Sequence, residues 1–202
     1  AAHDPRIRAV VAMSTWGSLT EALYGQETPR LIWGELLTLS SGLTGNPDPI
    51  IRDTWNKVLS REDMESVYAW TGIRSPLNYV NDINANGTAV YISQNWGDNL
   101  FQPNSVLDLF SQLTVEKHID LQPGTHAGAE IGGLLGGGDT HVLNNVHRWF
   151  AEHLKGESGA MENQKPVNMK VKFTSGYQQY DAFPVPEAYE QTFYLQPRNL
   201  FS

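Results

Sequence analysis

Near its start the chain carries a run of small apolar side chains, Ala9-Val10-Val11-Ala12-Met13, with no polar alternation. A short run that is apolar on both faces predicts an inner strand of a parallel sheet. From Ser18 to about Ile83 the period becomes helical. Asp48 ahead of Pro49 is an N-cap followed by a first-turn proline. Behind it, Ile50, Ile51, Trp55, Val58 and Leu59 share one helical face. Ser60 and Asp63 repeat a capping signal before Met64, Val67 and Tyr68. Ser41-Gly42 and Gly45-Asn46-Pro47 separate the helices. Residues 18–83 are expected to form a helical insertion over a sheet.

Strands and helices then alternate. Thr88–Ser93 reads as a strand after the turn residues Asn86-Gly87, and Pro103–Leu113 as a helix with Val106, Leu107, Leu109, Phe110 and Leu113 apolar. Lys117–Leu121 is a second strand candidate. His141–Lys155 is a helix lined by Val142, Val146, Trp149, Phe150 and Leu154, closed by Gly156. This alternation predicts an α/β layer with right-handed crossovers. The tail changes character. Val167, Met169, Val171 and Phe173 alternate with Asn168, Lys170 and Lys172, the pattern of a half-buried strand, and Gln191–Leu195 suggests another. The predicted organisation is an α/β segment over 1–156, a linker over 157–165 and the start of a β-sandwich over 166–202.

Composition narrows the function. The 202 residues carry 14 Lys+Arg against 22 Asp+Glu, so a basic nucleic-acid-binding face is not expected. No apolar run approaches the ~20 residues of a membrane helix, and no signal-peptide pattern is visible. Zero cysteines leave no disulfide, thiolate nucleophile or Cys-based metal site.

Two loops hold the candidate chemistry. Asn95-Trp96-Gly97-Asp98 follows the first of the paired strands, and Pro123-Gly124-Thr125-His126-Ala127-Gly128 follows the second. Loops past the carboxyl ends of parallel strands form the ligand crevice of open α/β sheets. An acid and a histidine in two such loops can meet above the sheet, where a carboxylate fixes the imidazole tautomer and stabilises the imidazolium. The alternative is a solvated Asp and a turn His. Trp16 and Trp96, each just beyond a strand end, are candidates to line an acyl pocket, whereas Trp33, Trp55 and Trp70 sit at apolar helical positions. The glycine-rich stretch from Gly132 to Gly138 lacks the Lys-Ser/Thr of a phosphate loop and reads as a flexible loop. Asp139, His141 and His147 invite a metal reading, but the two histidines project about 240° apart on a helix. They are expected at the surface, with Asp139 or Thr140 as cap. His118 and His153 are expected to be structural.

Several blocks resemble the α/β-hydrolase-fold serine hydrolases that include cocaine esterase, α-amino-acid ester hydrolases and the X-Pro dipeptidyl peptidases. These are Asp4–Val11, Arg74-Ser75-Pro76-Leu77-Asn78-Tyr79 with the TAVYISQNWGD stretch ending at Asp98, the GTHAG around His126, and Arg148-Trp149-Phe150 leading to Leu154–Glu157 and Pro166-Val167. They keep the family's order. The resemblance implies the C-terminal part of an α/β-hydrolase sheet with a helical cap, followed by a jelly-roll β-sandwich. It implies Asp98 as triad acid and His126 as general base, a small ester, amide or short peptide as substrate, and no cofactor.

The family's nucleophile has no counterpart here. A nucleophile elbow needs small residues two positions either side of the serine. Ser14 is followed by Trp16, Ser18 is flanked by Trp16 and Thr20, and Ser158 lies in the linker beyond His126. The resemblance places the elbow before Ala1 and makes the chain a segment of a larger hydrolase, inactive alone. A non-catalytic binding or scaffold module with a hydrolase-like sheet is the competing expectation.

Overall fold

The computed structural model describes residues 1–136 and 140–194. In chain order the elements are β1 (Ala9–Met13), α1 (Leu19–Tyr24), α2 (Leu31–Thr44), α3 (Pro49–Ser60), α4 (Met64–Gly72), α5 (Val80–Asn86), β2 (Ala89–Asn95), α6 (Pro103–Gln112), β3 (Lys117–Gln122), α7 (Gly128–Leu134), α8 (His141–Lys155), β4 (Val167–Met169) and β5 (Gln178–Tyr180). The strands form one sheet in the order β1-β2-β3-β4-β5. Pairing is parallel from β1 to β4, and β5 adds antiparallel to β4. This is the α/β layer that the alternation of strands and helices predicts.

Strand periodicity divides the core between the two faces of the sheet. On one face Val90 and Ile92 of β2 and Ile119 and Leu121 of β3 pack against Val80 and Ile83 of α5 and Val106, Leu109 and Phe110 of α6. On the other, Ala89 and Tyr91 meet Val142 and Trp149 of α8. Full burial of each such large side chain contributes roughly 1.5–3 kcal/mol, so β2, buried along its whole length, is the best anchored strand. α8 ends at Gly156, whose φ of 72° closes the helix as its amide donates to the Ala151 carbonyl.

Helix caps follow the sequence only in part. Asp48 accepts a hydrogen bond from the Ile50 amide at 3.0 Å and starts α3 as expected. Ser60 instead ends α3, and Asp63 makes no capping bond. The left-handed turn at Arg61 (φ 60°) reverses the chain, bringing the Asp63 carboxylate 2.9 Å from Lys57. Because α5 packs in the main core with α6, the helices that stand away from the sheet are α1 to α4.

Three further features differ from the sequence reading. β1 lies at the edge of the sheet rather than inside it: among the described residues nothing pairs with its outer side, and it is half-buried, with Met13 exposed. The alternating pattern from Val167 stops at Met169, and Phe173 adopts φ 71° and is exposed. β4 hydrogen-bonds to β3, so the segment expected to open a β-sandwich extends the same sheet, and no second sheet is seen among the described residues. β5 lies between the two segments whose patterns suggested strands. Residues 191–194 form no strand, and Leu195 lies outside the described residues. No helix among the described residues is long and apolar enough to cross a membrane.

Candidate active site

The parallel register of β2 and β3 ends both strands at the same rim, with Asn95 opposite Gln122. The loops that follow are laced together by their backbones. Trp96 N donates to the Gln122 carbonyl and Gly97 N to the Gly124 carbonyl, each at 2.9 Å. Such close approach leaves no space for side chains. A Cβ on Gly97 would lie 2.6 Å from the Gly124 carbonyl oxygen, and one on Gly124 (φ 153°) would lie 2.6 Å from Asn95 Oδ1. Both glycines are legible in the sequence, but only as turn residues.

The lacing brings Asp98 and His126 together. Asp98 is 3% exposed. Its Oδ1 accepts from the amides of Leu100 and Phe101, both at 2.9 Å. Its Oδ2 lies 2.9 Å from His126 Nδ1. Two amides, the imidazole and Gln94 Nε2, which donates to Oδ2 at 3.4 Å, thus satisfy a carboxylate that would otherwise be costly to bury. With Nδ1–H donated to Asp98, the lone pair of the neutral imidazole is on Nε2. Nε2 makes no hydrogen bond among the described residues, and the ring remains about a third exposed. Its edge contacts Phe101 at 5.2 Å between centroids. Phe101 was not singled out from the sequence, because only the turn after Asp98 aims it at the imidazole.

Trp16 and Trp96 occupy different surroundings. Trp16 lies edge-on to Phe101 at 4.8 Å, with its indole N–H on the Arg74 carbonyl at 2.8 Å. With Leu19, Trp55, Trp70 and Phe101 it lines an apolar cavity of about 330 Å³ between the helical region and the acid loop. Trp96 instead donates to the Lys170 carbonyl at 3.1 Å and borders a second hollow, of about 620 Å³, with Thr125, Val171 and Lys172. Trp55 is buried, and Trp33 and Trp70 pack at the edge of an apolar cluster.

The candidate serines have other commitments. Ser14 follows β1 with φ 44°, and its Oγ accepts from the Ala127 amide at 3.0 Å and from Asn95 Nδ2 at 3.1 Å while donating to Glu130. Ser18 caps α1 through the Glu21 amide.

The remaining histidines part from the sequence reading at one position. His147 is exposed as expected, and His153 packs against Trp149. His141 is not a surface group: its Nε2 lies 3.2 Å from Oδ1 of Asp120, which also meets His118 Nε2 at 3.1 Å. Asn145 and the Tyr91 hydroxyl donate to the other Asp120 oxygen. Burial opposes ionisation of Asp120, but hydrogen bonds from His118 and His141 and their charges outweigh it and hold the carboxyl well below its usual range. Burial and the adjacent Asp120 charge push the Tyr91 phenol far up. Thr140 starts α8 without a side-chain capping bond, and Asp139 lies outside the described residues. No metal-binding group of three or more such side chains occurs among the described residues.

The profile of the X-Pro dipeptidyl-peptidase (S15) family matches residues 1–128, which include both Asp98 and His126. Candidate serine esterases of Mycobacterium bovis and Mycobacterium tuberculosis are each 26% identical over 125 residues, which is 60% of this chain and 20% of the relative. The chain therefore spans about a fifth of the length of these relatives. A crystal structure of BpoC, titled as a candidate non-heme bromoperoxidase from Mycobacterium tuberculosis, superposes with a TM-score of 0.39 and 14% identity, over 75% of this chain and 60% of that one. Since the family profile spans more than half of its length, the chain belongs to the X-Pro dipeptidyl-peptidase (S15) family of hydrolases.

Proposed function

We propose that this chain carries the acid and the general base of a serine hydrolase that cleaves ester or amide bonds in small substrates. The supporting observation is the 2.9 Å contact between His126 Nδ1 and a buried Asp98 carboxylate, with Nε2 left open. In the proposed reaction a serine hydroxyl gives its proton to Nε2 as Oγ bonds to the substrate carbonyl carbon. The tetrahedral intermediate collapses, the ester C–O or amide C–N bond breaks, and the same proton passes to the leaving group. Water then repeats the sequence, leaving the acid product and restoring the serine. Asp98 holds the imidazole in the required tautomer and offsets its positive charge in both halves.

The serine is proposed to come from polypeptide outside these 202 residues. Of the candidate serines only Ser158 has small residues on both sides, Gly156 and Ala160, and it follows a helix rather than a strand; Ser14 and Ser18 lack such neighbours and are held in other hydrogen bonds. The half-buried outer edge of β1 offers a parallel strand a place to add beside the site. The helical region beginning at Ser18 is read as the cap, and the Trp16 cavity beneath it as the acyl pocket. A proton-transfer mechanism of this kind calls for no cofactor. Activity of the complete hydrolase toward X-Pro anilides and p-nitrophenyl esters tests the assignment. Asp98→Asn and His126→Ala are expected to lower kcat/KM by about 10³–10⁴-fold with unchanged circular dichroism. Near-normal turnover in either variant refutes the reading.

A further inference from the structure

Glu130 is a buried carboxylate with no cationic partner among the described residues, 6% exposed, on the short helix α7 that follows His126. Its Oε1 accepts from Ser93 Oγ at 2.5 Å and from Ser14 Oγ at 3.1 Å, and its Oε2 accepts from Asn95 Nδ2 at 3.1 Å. These donors come from the ends of β1 and β2. Gln122, the last residue of β3, joins through Nε2 to Ser93 Oγ at 3.1 Å. Three adjacent strand ends thus converge on one carboxylate directly under the histidine loop. Burying a carboxylate among neutral donors is costly unless all its bonds are made, so this arrangement also specifies where α7 must sit.

The link to the imidazole passes through Ser14. By donating its hydroxyl proton to Glu130, Ser14 turns its lone pairs toward Asn95 and the Ala127 amide. Ala127 adjoins His126 and adopts φ 55°, a left-handed conformation that an alanine keeps only where the surroundings hold it. We infer that Glu130 is a positioning residue: acting through Ser14, it clamps the Ala127 amide and so fixes the loop that presents His126 to Asp98. The inference rests on the proposed role of His126, and it deepens that reading.

The test is made on the uniformly ¹⁵N-labelled protein, following amide exchange across residues 124–128 and the His126 Nδ1–H resonance. In Ser14→Ala and Glu130→Ala the Ala127 amide is expected to exchange about tenfold faster, the equilibrium equivalent of one lost hydrogen bond. The Nδ1–H signal should weaken at the same time, while Ile92 and Ile119 keep their protection. Glu130→Gln retains an acceptor oxygen and should restore most of the protection. Unchanged exchange at Ala127, or an equal rise throughout β2 and β3, overturns the inference; if Glu130→Ala does not fold, Ser14→Ala decides. Should this exchange pattern hold while Asp98→Asn leaves turnover intact, the catalytic reading fails and the clamp survives it.

Discussion

Gly97 and Gly124 set the distance between the two halves of the site. Their loops touch through backbone atoms, so the separation of Asp98 from His126 depends on both positions lacking a Cβ. At Gly97 an added methyl would meet a carbonyl 2.6 Å away that is itself hydrogen-bonded and cannot swing aside cheaply. Gly97→Ala is therefore expected to destabilise the fold by about 2 kcal/mol, within the range for overpacking. It should also lower kcat of the complete hydrolase by about 10²-fold, because a displacement near 1 Å is enough to spoil a proton-transfer geometry. Urea unfolding and steady-state kinetics measure the two effects separately. A variant with wild-type kcat would mean that the loops can part without separating the pair.

Helix α8 is held to the sheet in two ways. Val142 and Trp149 supply an apolar stripe, while His141 and Asn145 reach Asp120 beneath the helix. With His118 and the Tyr91 hydroxyl, this carboxylate joins β2, β3 and α8 in one buried polar cluster. Asp120→Asn breaks up that cluster and is expected to cost about 3–5 kcal/mol near neutral pH. The acid dependence has a definite sign. The carboxyl is held below its ordinary value of 3.8 in the folded state. Its contribution is thus complete above that value and is lost as the pH falls below it. Stability of the parent chain should drop more steeply as the pH falls from about 4 to about 2 than that of Asp120→Asn. Equal slopes in chemical unfolding across that range would assign the acid sensitivity to other carboxylates.

For the whole molecule, the proposed mechanism assigns the nucleophile to polypeptide outside these 202 residues. The described sheet presents a half-buried outer edge at β1, next to the strand end that carries Ser14, and the cavity lined by Trp16 and Phe101 lies close by. If the serine comes from elsewhere, the 202-residue chain should be silent toward p-nitrophenyl esters and unlabelled by a fluorophosphonate probe. The complete hydrolase should take up one label at a serine outside this segment. Mass-spectrometric mapping of the adduct distinguishes these results, and a label on Ser14 or any other serine of this chain would overturn the proposal.

Strand and helix periodicity by itself determined the α/β layer, where along the chain β1, β2, β3, α6 and α8 fall, and the loops that hold Asp98 and His126. Those features arise from local alternation, caps and turn residues, which a linear chain displays openly. Tertiary structure alone decided that β4 joins the same sheet, that β1 lies at its edge, and that His141 turns inward to Asp120. It also decided that Glu130, Ser14 and Phe101 converge on the histidine loop. Such partners come from distant parts of the chain, and their hydrogen bonds form only once neighbouring strand ends share a rim, so no short-range pattern records them.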